Sequence, residues 1–173
     1  LIPELATLLD YRKGPFYAAE GDFSSAGSVS VKYANTLAQG IASIGLGQNG
    51  YARTFLADSP RLGEGKLLYA VELLHNDGPF TVGDNFRKRN GVLRYSQGTE
   101  ANGFNVTLMA YDAQWHATDQ IPLRAVQAGS LGRFDAVDQT DGGRASRHSL
   151  SGGWRQSSGD TSTQINAYVV RNS

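Results

Sequence analysis

Residues 66–74 read Lys-Leu-Leu-Tyr-Ala-Val-Glu-Leu-Leu, and alternate positions belong to different surroundings. Leu67, Tyr69, Val71 and Leu73 fall on one face of an extended chain, with Lys66, Ala70 and Glu72 on the other. A period of two is the mark of a strand whose sides meet different media. The pattern recurs outward from this stretch. Phe104, Val106, Leu108 and Ala110 oppose Asn105, Thr107, Met109 and Tyr111. Thr163, Ile165, Ala167 and Val169 oppose Gln164, Asn166, Tyr168 and Val170. Weaker runs lie at 36–47, 51–58, 86–96 and 146–155, so about seven strands are expected after residue 35. Helical spacing is nearly absent. Pro3-Glu4-Leu5-Ala6-Thr7-Leu8-Leu9 supports a single turn, with proline at a first helical position. The fold class expected is all-β.

The joins between the runs differ in length. Gln48-Asn49-Gly50 is a tight turn, and 59–65, 97–103 and 156–161 are short. The joins at 76–85 and roughly 116–145 are longer. Apart from the first tight turn, short joins fall at one end of the sheet and long ones at the other. An outer-membrane barrel has that asymmetry, whereas a sandwich has less reason to keep it. Tyr95, Phe104 and Trp154 near the short turns, with Phe86 and Trp115 beside the long ones, suggest aromatic girdles at both interfaces. The chain has no run of 18 apolar residues, so a membrane-crossing helix is not expected.

Composition narrows the function classes. Sixteen basic residues balance 16 acidic ones, which leaves no basic footprint for nucleic acid. Cysteine is absent, which removes disulfides, thiolate metal ligands and a cysteine nucleophile. The chain starts at Leu1 and its one methionine is Met109, so a piece of a longer product is expected.

Several patterns are decoys. Gly45-Leu46-Gly47-Gln48-Asn49-Gly50 matches a dinucleotide fingerprint, but a strand, not a helix, follows it, and Asn49-Gly50 is a hairpin signal. His75, His116 and His148 lack metal-ligand spacing. No GxSxG elbow occurs, and Asp138 and Asp141 sit in a long polar loop where solvated carboxylates are the default. No catalytic residue, metal or cofactor is expected. The basic run Phe86-Arg87-Lys88-Arg89-Asn90 is either a solvated strand end or a contact for lipopolysaccharide phosphates.

Residues 10–33 read Asp-Tyr-Arg-Lys-Gly-Pro-Phe-Tyr-Ala-Ala-Glu-Gly-Asp-Phe-Ser-Ser-Ala-Gly-Ser-Val-Ser-Val-Lys-Tyr. Gly14-Pro15 makes a stiff turn. Gly21 and Gly27 permit close backbone approach. The stretch resembles the closing motif of the plug domain in TonB-dependent outer-membrane receptors. Arg12 or Lys13 takes the basic position, Gly14 and Pro15 the turn, and Gly21 and Gly27 the spaced glycines. An acidic insertion, Glu20 to Phe23, departs from the common pattern. The resemblance is specific in the first 35 residues and softer beyond, where 93–99 and 117–126 also look like barrel sequence of one branch.

The resemblance implies that 1–35 is the end of a plug. Residues 36–173 would then form the first seven strands of a 22-stranded transmembrane barrel, an antiparallel meander too short to close. It implies a bacterial outer-membrane receptor, not an enzyme, that imports a scarce nutrient such as an iron–siderophore complex. Its partners would be outer-membrane lipid, a small metal chelate, and a TonB-type energy-coupling protein that binds a segment absent here. Ligand contact is expected in the loop 116–145, from the polar side chains of Asp119, Gln120 and Arg124, with Trp115 as a stacking surface at its base. The competing class is a soluble β-sandwich carbohydrate-binding module, which would bury the apolar face that a barrel gives to lipid.

Overall fold

A computed structural model describes residues 1–14, 16, 25–99, 101–118 and 120–173. Pro15, Gly21, Asp119 and the acidic insertion at 20–23 lie outside the described residues. The chain divides into two units, Leu1–Asn35 and Thr36–Ser173.

The first unit is a hairpin. A 3-10 turn, Pro3–Leu5, leads into β1 (Ala6–Lys13), which pairs antiparallel with β2 (Gly27–Tyr33). The expected turn is therefore only three residues long, and Ala6 to Leu9 are extended. The ladder runs from Ala6↔Tyr33 to Lys13↔Gly27, and Gly14 N–H closes it by donating to the Ala26 carbonyl at 2.9 Å. Glycine is required at both closing positions. Gly14 has φ +80° and Gly27 φ +148°, and a Cβ on Gly27 would run into the Arg12 carbonyl oxygen. Gly27→Ala should accordingly loosen the hairpin by about 1–2 kcal/mol. Faster hydrogen exchange of the amides of β1 and β2 would report it.

The second unit is an antiparallel meander, so the expected all-β class holds. Its strands are β3 (Ile41–Leu46), β4 (Ala52–Asp58), β5 (Arg61–Leu62), β6 (Gly65–Asn76), β7 (Phe86–Gly98), β8 (Gly103–His116), β9 (Gly142–Ser158) and β10 (Thr161–Asn172). Neighbours pair in the order β10-β9-β8-β7-β6-β4-β3, and the two-residue β5 pairs with the start of β6. The turn between β3 and β4 holds Asn49 and Gly50 at φ 55° and 68°, the pair of positive values a type I′ turn needs. The sheltered side of the sheet carries Phe55, Ala57, Leu68, Ala70, Val92 and Ala113, all buried.

Two boundaries differ from the sequence expectation. β9 starts at Gly142, because Gly142–Ser146 continues the ladder with Asp112–His116 of β8. The loop thereby shrinks to 117–141, and it contains a helix, α1 (Leu123–Gln127), entered after Pro122 and left before Gly129 at φ +70°.

Candidate functional site

The ladders fix which side chains share a face. Residues directly opposite on paired strands point the same way. Tyr69, Leu93, Leu108, Leu150 and Val169 form one such row across β6 to β10. They lie on the outward side, where Leu93 is 44%, Leu108 49% and Val169 65% exposed. On the sheltered face polar residues lie buried among the apolar ones. Glu72 is 1% exposed, and Asn90 and Thr107 are also buried.

The outward apolar band covers on the order of 500 Å², from about 20 Å along each strand and ~4.8 Å between strands. That is near the upper end for the largest patch of an ordinary monomer, so area alone decides nothing. Its slope does. The row containing Val71 is apolar from Ala42 and Leu56 through Gly91 and Ala110, then turns polar at His148 and Arg171. The row containing Tyr69 begins at Asp58 on β4 and ends at Val169 on β10. On β3 the band is centred at Ile44, in the row of Leu73; on β10 it is centred at Ala167, in the row of Leu67. The centre thus slides by about one residue for each strand crossed. With ~3.4 Å per residue and ~4.8 Å between strands, a level band crosses strands tilted by about 35°. Outer-membrane barrel strands tilt by roughly 35–45°.

Aromatics mark the lower edge of this band. Tyr95 and Phe104 have ring centroids 5.9 Å apart, and Phe104 lies opposite Trp154. The upper girdle expected from the sequence is not built by Phe86 and Trp115. Phe86 pairs with Asn76, and Trp115 with Gly143, on the opposite face from the band. Parity decides this: each stands an odd number of residues from its strand's outward band positions.

The sheltered face holds a charge cluster drawn from three strands. Glu72 Oε1 accepts from Arg53 Nε at 2.7 Å, and Lys88 Nζ lies 2.9 Å from Glu72 Oε2. The Arg53 guanidinium sits over the Phe55 ring, 5.3 Å from its centroid. Asn90 and Arg94 continue along the same face of β7. Lys88 therefore leaves the basic run for the interior, while Arg87 and Arg89 stay outward and exposed. Register made this cluster invisible in the sequence; the one available signal was Glu72 within an apolar-rich strand.

The tight turn 47–51 and the long connections 77–85 and 117–141 leave from one end of the sheet, and 59–64, 99–102 and 159–160 from the other. The first three are tied together. Asp77 N–H donates to the Asn49 carbonyl at 2.8 Å, and Thr81 N–H to the Phe134 carbonyl at 2.8 Å. Phe80 packs against Phe134, with centroids 6.2 Å apart. Asp135 accepts from Gly132 N–H at 2.6 Å and from the Thr81 hydroxyl at 2.8 Å. The Gly132 backbone bond and then the Thr81 bond hold this carboxyl below the usual carboxylate range. A depressed folded value gives stabilisation that is present above the ordinary value of about 4 and is lost as pH falls through the depressed one. The Thr81–Asp135 clip should thus persist in mildly acidic buffer and open only below that range. Exchange of the Gly132 amide against pH would show it, and Asp135→Asn should speed that exchange above the depressed range, with the difference from wild type vanishing below it.

Of the expected ligand residues, Trp115 is the next-to-last residue of β8, with its ring against Gly143. Gln120 and Arg124 are exposed, the latter on α1. The described contacts do not join the three into one pocket. Of the hairpin motif, Arg12 lies on β1 with Nε 3.2 Å from Asp10, Lys13 ends that strand, and Gly14 and Gly27 close it. Among the described residues no group of three His, Asp or Glu side chains is placed to hold a metal ion. No family model, curated protein or solved structure matches the chain.

Proposed function

We propose that residues 36–173 are part of the wall of a bacterial outer-membrane β-barrel, and that residues 1–35 are the end of its plug. The whole would be a receptor that imports a scarce nutrient, such as an iron chelate, in a TonB-type energised process. The observation that carries the reading is the sloped apolar band on the outward face, backed by buried charge on the sheltered one. Lipid on the outside and a polar lumen on the inside account for both. A soluble sandwich whose core is the face of Leu68, Ala70 and Val92 would have no use for an exposed aliphatic row on the other face, and lipid gives that row a partner. The resemblance of residues 10–33 to a plug's closing motif, and the long loops gathered at one end, narrow the barrel to a receptor.

In this reading the tied loops form the outer mouth, and Trp115, Asp119, Gln120 and Arg124 contact the ligand. Import moves a plug and breaks no bond. Fractionation of cells expressing the complete gene product tests the reading. Recovery in detergent-extracted outer membrane supports it, and a clear aqueous supernatant overturns it. Arg124→Ala and Trp115→Ala should each weaken nutrient uptake; unchanged ligand affinity would remove that residue from the site.

A further inference from the structure

The upper border of the apolar band is cationic in a way the transport reading does not use. On β7 the outward positions that follow Gly91 are Arg89 and Arg87; on β10 Arg171 follows Val169; on β9 Arg144 lies two outward positions beyond His148. All four arginines are exposed or, for Arg144, 73% exposed at the side chain. Among the described outward strand positions of this border Asp112 is a carboxylate, lying opposite Arg89 and 3.2 Å from Arg144 Nη2. Arg87 Nε donates to Asn85 Oδ1 at 3.1 Å, and neighbouring His75 is held by Asp77 at 3.1 Å. Beyond the opposite edge of the band the outward positions are Gln97, Gln156 and Thr163, with Asp58 the charge on β4. One border is thus basic and the other is not.

We propose that Arg87, Arg89, Arg144 and Arg171 bind the phosphate groups of lipid headgroups in the leaflet on the long-loop side. The inference rests on the outward face meeting lipid. The guanidinium groups stand on β7, β9 and β10, about 5 Å for each strand crossed, with Arg144 set farther from the band than the other three. They do not converge on one point, so they fit a row of headgroup phosphates and not a single small anion. Guanidinium is the group suited to paired hydrogen bonds with phosphate oxygens, and an arginine stem is apolar enough to rest at the edge of hydrocarbon.

The test uses the full-length protein in neutral detergent, with a bisphosphorylated lipid A and the same lipid stripped of phosphate as probes, read by native mass spectrometry. Each arginine replaced in the series Arg87→Gln, Arg89→Gln, Arg144→Gln and Arg171→Gln should weaken the bisphosphorylated lipid by about fivefold. The stripped lipid should bind wild type and variants alike. The matching Arg→Lys set should keep most of the affinity, and inorganic phosphate should not displace the lipid. If the fourfold variant fails to fold, Arg89→Gln and Arg171→Gln alone carry the same comparison. Equal binding of the phosphorylated lipid to wild type and glutamine variants overturns the proposal, as does displacement by inorganic phosphate. A protein that fractionates with membranes yet ignores lipid phosphate sinks this inference alone, whereas one found in the aqueous supernatant sinks the barrel reading beneath it.

Discussion

Leu93→Arg and Leu108→Arg, made separately in the full-length protein folded into bilayers, should each cost about 2–4 kcal/mol of stability. The two leucines face each other at the middle of the outward band, in the row that runs from Tyr69 to Val169. A cation there must leave water for hydrocarbon or bend the bilayer toward itself. The same change at Arg87's position in the strand, near the border, is already an arginine in the natural sequence, so depth and not strand chemistry sets the penalty. Unfolding by denaturant from lipid vesicles measures the cost. In a water-exposed sheet either substitution would fall within about 0.5 kcal/mol of neutral. The two outcomes differ by more than the error of the method.

Glu72→Gln should be the most damaging single change on the sheltered face, at about 3–5 kcal/mol. Glu72 answers two cations, Arg53 and Lys88, and is 1% exposed. Its amide would leave both facing each other without a counter-charge. The triple replacement Arg53→Met, Glu72→Met and Lys88→Met should recover much of that loss, because removing all partners of a buried ion cluster is often near neutral. Denaturant unfolding of the single and triple variants decides the matter. A triple variant as unstable as Glu72→Gln would mean that packing, not the orphaned charges, carries the effect.

Much of the sheet was legible because its information is local. The two-residue period in 66–74, 104–111 and 163–170 marks β6, β8 and β10, and Asn49-Gly50 names its own turn through the positive φ it demands. What escaped depends on register. The full length of β9 is set by its ladder with β8, since Gly142 and Gly143 have no strand propensity of their own. The helix Leu123–Gln127 is too short to show a period, although Pro122 and Gly129 bracket it. Phe86 and Trp115 had the right type and place along the strand for a girdle, but the wrong parity. The ion cluster joins Arg53, Glu72 and Lys88 from three strands, and the slope of the band exists only once seven strands are aligned.

These 173 residues hold no cysteine, so labels placed among them report single sites once any cysteine elsewhere in the protein is replaced. Single cysteines placed at each position from Phe104 to Gln114 in the bilayer-embedded protein, spin-labelled, can be read for collision with oxygen and with a water-soluble nickel chelate. Lipid contact predicts that oxygen access peaks at 104, 106, 108 and 110 and falls between them. It also predicts that the peak sits near Ala167 on β10 but near Ala42 to Leu46 on β3, sliding by about one residue per strand. Even-numbered labels on β8 that meet the nickel chelate as freely as labels in the 117–141 loop would contradict the account.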